Sequence, residues 1–177
     1  MIAYDVGASG QVVVVADAVV EHLRGHRQLR WYRREAGGQL FARFSGQAIC
    51  IVEATGPRRS DRRTRTSYVP DREAELREIS IRHARGLHFV GDWHTHPEIY
   101  PAPSLDDEAS VVDCYRESSH TLNAFLLVIV GKAEPPAGLY VCAHNDSSSL
   151  VLEPRAWRTQ AGLARGSTPP RPRSSSR

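Results

Sequence analysis

The sequence predicts an α+β domain, a mixed and mostly antiparallel β-sheet flanked by helices. Three observations lead there. Short runs rich in β-branched and aromatic residues recur along the chain, several of them hairpin neighbours. Between them lie two or three stretches with apolar residues at helical spacing and capping residues at their starts. The length, 177 residues, is that of one compact domain. No internal repeat is visible.

Taken in order, the run from Gln11 to Val15 is β-branched and reads as a strand, and Asp17 is placed to cap a helix reaching about Gln28, with Val19, Val20 and Leu23 on one face. Gly38 to Phe44 and Ala48 to Ala54 read as a hairpin around Ser45-Gly46. Gly56 to Thr66, carrying Arg58, Arg59, Arg62, Arg63 and Arg65, reads as a solvated mobile loop. Asp71 to Arg85 has an acidic first turn, a basic end, Leu76, Ile79 and His83 at helical spacing, and Gly86 as its stop. Leu87 to His96 is a strand halted by Pro97, and Pro97, Pro101 and Pro103 confine the next segment to a loop. Ser104 opens a helix to about Glu117. Leu122 to Val130, Leu139 to Ala143 and Leu150 to Leu152 complete a count of about six strands, the last two around a turn at Asn145-Asp146.

Composition excludes several function classes. At 41% hydrophobic and 24% charged the chain is neither collagenous, disordered throughout nor a disulfide scaffold. The net charge of +3 is misleading. Five arginines and no acid follow residue 157, leaving 18 basic against 20 acidic residues in 1–157. A body with that balance gives no reason to expect nucleic acid as a partner. Residues 161–177, rich in Arg, Ser and Pro from Gly166 onward, are expected to be a disordered basic tail after a domain over 1–160. No apolar run is long enough for a transmembrane helix and no secretory signal is apparent, so a cytoplasmic protein with no membrane partner is expected. Cys50, Cys114 and Cys142, odd in number and set among apolar residues, read as reduced core thiols.

The chemistry concentrates around one strand end. Alternation puts His94 and His96 on one face with Thr95 turned away. Asp107 follows one turn into the next helix, with Asp106 as a rival carboxylate about 100° around that helix. Two imidazoles and one carboxylate leave a fourth tetrahedral position open, the arrangement of catalytic rather than structural zinc. Ser104 and Asp107 also fit a helix capping box, which needs no metal, and both roles can coexist. A hydrolase of this kind requires a general base, for which two upstream acids are available. Glu35 is favoured because it precedes Gly37-Gly38, where backbone can approach a pocket closely, whereas Glu53 sits within a strand.

Glu35-x-Gly37-Gly38-x-Leu40, Asp92-Trp93-His94-Thr95-His96-Pro97 and Pro103-Ser104-x-x-Asp107, in that order, resemble the pattern of the JAMM (JAB/MPN+) metalloproteases. In detail the motif looks like the short bacterial branch, which includes the deconjugating proteases of CBASS anti-phage operons. The resemblance implies a JAB/MPN-like fold, with zinc held by His94, His96, Asp107 and water. It also implies Glu35 as general acid/base and Ser104 as a donor to the tetrahedral oxyanion. Trp93, Thr95 and Pro97 would shape the site. The implied activity is cleavage after the C-terminal residue of a ubiquitin-like or analogous conjugated protein. The implied partners are that tagged protein, in CBASS a nucleotide cyclase, and its conjugating enzyme. Processing of a sulfur-carrier protein is an alternative within the same family, and a non-catalytic scaffold of the same fold would lack the ligands present here. Asp92 stands where Glu is commoner in this branch, and Ala42 where Gly is frequent.

Overall fold

The computed structural model describes residues 1–155; the expected tail and the last residues of the expected 1–160 domain lie outside the described residues. The elements are β1 (Ile2–Asp5), β2 (Val12–Val15), α1 (Asp17–Gly25), β3 (Gly37–Ser45), β4 (Ala48–Ala54), β5 (Arg62–Arg63), β6 (Tyr68–Val69), α2 (Arg72–His83), β7 (His88–Thr95), α3 (Leu105–Glu117), β8 (Phe125–Val130), β9 (Leu139–His144) and β10 (Ser149–Val151). Eight strands form one sheet in the order β1-β2-β4-β3-β7-β8-β9-β10, and β5 pairs only with β6. Two contacts in the sheet, β2 with β4 and β7 with β8, are parallel, and the others are antiparallel. The α+β architecture expected from the sequence is therefore the one observed.

Strand β8 is buried along its whole length and divides the core in two. Leu126, Val128 and Val130 point to one face, where they share a cluster with Val19 and Leu23 of α1. Phe125, Leu127 and Ile129 point to the other face and pack with Val111 of α3. A strand covered on both sides reads as an uninterrupted apolar run, which is why Phe125–Val130 carries no polar residue.

Strand β7 is not regular. Its pairing with β3 runs Leu40 with Gly91 and then Phe41 with Phe89, so Val90 is passed over in a β-bulge. The bulge changes the alternation: Val90 and Trp93, three residues apart, both join the α1-side core. Phe89 packs toward α3, and Leu127, the register partner of Asp92, belongs to that same face. Asp92 and His94 therefore face the α2/α3 side. Gly91 sits at φ 140°, and a Cβ there would lie 2.0 Å from the Leu126 carbonyl oxygen. Only glycine fits.

Several sequence expectations need correction. Strand β1 and the β5–β6 ribbon were not anticipated, and the α1 helix ends at Gly25 rather than near Gln28. Its N-cap is Ala16, with Asp17 in the first turn facing the helix dipole rather than capping. The strand expected from Leu122 begins at Phe125. Of the apolar stripe assigned to α2, Ile79 is half-buried but Leu76 and His83 are exposed. Leu76 is 65% exposed, whereas Glu75 is buried. This helix docks through charge instead: Arg58 pairs with Glu75 and Glu78, and Arg82 pairs with Glu53 and stacks over Phe41. The Arg-rich segment is consequently no solvated loop where Arg58 and Asp61 lie. Asp61 is buried and accepts from the Arg58 and Asp71 amides and the Tyr68 hydroxyl.

Candidate metal centre

His94 and His96 stand at the C-terminal end of β7, where the His96 amide still donates to the Val130 carbonyl. Thr95 between them is fully buried and points the other way. Its hydroxyl accepts from the Ala36 amide and donates to Gln28, while its own amide donates to the Ala36 carbonyl. The two imidazoles are thereby presented together on the cleft side. Asp107 reaches them from the first turn of α3. Ser104 is the N-cap, and its side chain accepts from the Asp107 amide while the Asp107 carboxylate accepts from the Ser104 amide. The Ser104 hydroxyl donates its proton to the same carboxylate oxygen at 2.7 Å. The capping box and the cluster expected from the sequence are one structure.

His94 Nε2 lies 3.0 Å from Asp107 Oδ1 and 3.1 Å from His96 Nε2, and His96 Nε2 lies 3.4 Å from Asp107 Oδ2. Ligands at 2.0–2.1 Å from a tetrahedral ion are separated by about 3.3 Å. The three donors therefore lie close enough together to hold one ion. Burial pulls the Asp107 carboxyl upward, but hydrogen bonds from His94 and His96 outweigh it and hold the group well below the usual carboxylate range. His96 is raised despite its burial, chiefly through its hydrogen bond to Asp107 and that residue's charge.

Glu35 lines the same cleft, which has a volume of about 570 Å³. Its main chain is held on both sides by the ribbon: its amide donates to Thr64 at 2.8 Å, and Arg63 Nε donates to its carbonyl. The side chain is 6% exposed. Burial pushes its carboxyl up to about 7, opposed by His96 and reinforced by the charges of Asp107 and Glu98. Glu53, the rival base, is elsewhere, bound to Arg82 at 2.7 Å. Asp106 lines the cleft but contributes no atom to the three-donor cluster. The glycines after Glu35 serve close packing. A Cβ on Gly37 would meet the Tyr68 ring at 2.5 Å, and one on Gly38 would meet the Thr55 carbonyl oxygen at 1.9 Å.

Residues 15–146 match the family described as prokaryotic homologs of the JAB domain. The chain belongs to this family. A CD-NTase/cGAS isopeptidase of Vibrio cholerae is 31% identical over 128 residues, covering 70% of this chain and 78% of the relative. Another, of Escherichia coli, is 31% identical over 103 residues, 56% of this chain and 66% of that protein. A probable metalloprotease of Sinorhizobium fredii is 34% identical over 92 residues, 49% of this chain and 55% of the relative. Protein DSY2949 of Desulfitobacterium hafniense shares the fold, with a TM-score of 0.57 at 17% identity, covering 78% of this chain and 88% of that one. The chain is thus a JAMM-type hydrolase.

Within this JAB domain, sequence reasoning overlooked two residues. Glu98 lies 3.2 Å from His96 Nδ1. A carboxylate there favours the proton on Nδ1 and leaves Nε2 free for a metal, the usual second partner of a ligating histidine. An acid two residues beyond the His-x-His was the available signal. Gln28, 2% exposed, donates to the carbonyls of Arg33 and Arg65 and accepts from Thr95, tying the Glu35 segment to the β7 end. Nothing in the sequence marked it. The thiols are free, and only Cys142 is fully buried, Cys50 and Cys114 being half-buried rather than core. Burial pushes the Cys114 thiol up to about 11, which suits no nucleophile.

Proposed function

We propose that this protein is a zinc-dependent isopeptidase that releases a target joined to the C-terminal tail of a conjugated protein. The observation that carries the reading is the three-donor cluster of His94, His96 and Asp107, close enough together to hold one ion, in one cleft with the buried carboxyl of Glu35. The donor set of two imidazoles and one carboxylate suits zinc with an open position. A bound ion supplies electrophilic chemistry, polarising the scissile carbonyl and acidifying water.

The remaining work falls to the chain. Glu35 accepts the proton of the attacking water and returns it to the departing amine, a task for which a carboxylate in the same cleft is placed. His96 is oriented by Glu98, and Asp107 by the helix start. Ser104 serves the developing oxyanion by turning its hydroxyl from Asp107 toward the substrate, while the Ser104 amide continues to hold the carboxylate. A protein substrate is supported by large apolar side chains left in solvent on the segments that carry these groups: Trp31 and Tyr32 before Glu35, and Ile99, Tyr100 and Leu105 between His96 and Asp107. The relatives named CD-NTase/cGAS isopeptidase support a nucleotidyltransferase as the conjugated protein; the anti-phage setting and a conjugating enzyme follow only from the motif resemblance.

Purified protein should bind one zinc per chain and cleave a lysine-branched conjugate of the cognate nucleotidyltransferase. Glu35→Gln should retain zinc and lose cleavage. Full activity in that variant, or zinc bound in equal amount after His94→Ala, would refute the assignment.

A further inference from the structure

The cleft extends beyond the metal centre along β7, toward the N-terminus of α2, and its floor there is built of charged side chains: Arg72, Glu75 and Asp92. Most of them are paired. Glu75 bonds Arg72 at 2.9 Å and lies 3.6 Å from Arg58. Glu78 takes the other side of Arg58, and Asp61 is satisfied by two amides and the Tyr68 hydroxyl. Asp92 is the exception. Among the described residues its carboxylate has no hydrogen bond and no cation within 4.0 Å, although Arg72 and Arg58 lie near enough to act on its charge and pair with the glutamates of α2. Asp92 is half-buried on the cleft wall, and a half-buried carboxylate without a partner is open to a cation brought by a ligand.

Position decides which ligand. Asp92 and His94 lie on the same face of β7 two residues apart, a separation of about 7 Å. An extended peptide with its scissile carbonyl at the metal centre covers that distance in two residues. In an isopeptide the leaving side is a single lysine side chain whose nitrogen is already in the bond, so only the tail can lay an extended chain along the cleft. We propose that Asp92 is a specificity-determining residue that receives a cationic side chain, arginine or lysine, at the third residue from the end of the substrate's C-terminal tail. The proposal rests on the isopeptidase reading for the direction of the tail.

Free tail peptides are products, so binding can be measured without turnover. Ten-residue peptides carrying Arg, Gln or Glu at the second, third or fourth position from the C-terminus would be titrated by fluorescence anisotropy against zinc-loaded wild type and Asp92→Asn. The expected result is about tenfold tighter binding of the Arg peptide than the Gln peptide at the third position, and weaker binding still for Glu. Asp92→Asn should erase that preference while keeping the affinity for the Gln peptide, and Asp92→Glu should retain it. No measurable binding by any peptide, no arginine preference at the third position, or a preference that survives Asp92→Asn would overturn the proposal. Cleavage of a lysine-branched version of the same peptides separates the two claims. Hydrolysis indifferent to the tail's charge removes the subsite and leaves the isopeptidase; an Asp92-dependent preference without hydrolysis does the reverse.

Discussion

Replacing Glu35 by glutamine removes a negative charge from a side chain that is only 6% exposed and lies near Asp107 and Glu98. In the metal-free protein the carboxyl is raised from an ordinary 4.5 to about 7. The native state therefore keeps a proton that the unfolded chain gives up, and stability falls as pH rises through that window. At about 1.4 kcal/mol for each tenfold difference in proton affinity, the full loss is roughly 3 kcal/mol above neutrality. Glutamine does not titrate and is free of it. Paired urea or thermal unfolding of chelated wild type and Glu35→Gln should show the variant ahead by less than about 1 kcal/mol at pH 5 and by roughly 3 kcal/mol at pH 8.5. For a domain of this size that later gap is roughly 6–12 °C in Tm. A gap that stays flat between the two pH values, or narrows as pH rises, would refute the placement of Glu35 as a buried, unneutralised carboxyl. The substitution proposed to abolish catalysis is thus expected to strengthen the fold.

Other perturbations have equally direct readings. Gly91→Ala should cost about 3 kcal/mol or more in urea unfolding, because the new Cβ would stand 2.0 Å from the Leu126 carbonyl oxygen; a loss under about 1 kcal/mol would show that the bulge is not fixed. Asp61→Asn should destabilise by about 2 kcal/mol, since one acceptor of the buried carboxylate becomes a donor facing the Arg58 and Asp71 amides and the Tyr68 hydroxyl; an unchanged denaturation midpoint would contradict it. Adding zinc to the chelated protein at about a thousand times its Kd should add about 4 kcal/mol, read as a rise in Tm that His94→Ala abolishes.

The triad was legible because its determinants are local. A His-x-His on a strand must share a face, and a Ser-x-x-Asp at a helix start must converge, whatever the rest of the chain does. Glu35 required more, since its main chain is held by Thr64 and Arg63, residues that meet it only in the folded chain. The ribbon was missed because two-residue strands leave almost no pattern, and what holds them is Asp61, a single buried acid in an arginine-rich stretch. The docking of α2 was misread for a related reason. Its apolar spacing at Leu76 and Ile79 was real, but Glu75, Glu78 and Arg82 meet partners contributed by Arg58 and Glu53, and those partners decide which side faces the sheet.

The bulge at Gly91 has a consequence for insertions and deletions. Strand side chains alternate strictly, so the side on which a residue emerges depends on whether the number of residues before it is odd or even. Val90 is the residue that β3 leaves unpaired, so Phe89 keeps Phe41 and His94 keeps Gly37 as partners whether or not Val90 is there. Deleting Val90 would therefore give β7 a smoother ladder and leave His94 on the cleft side, with Trp93 still facing α1. The irregularity is one residue of slack in the strand, and it can be taken up without carrying the histidines to the other side of the sheet.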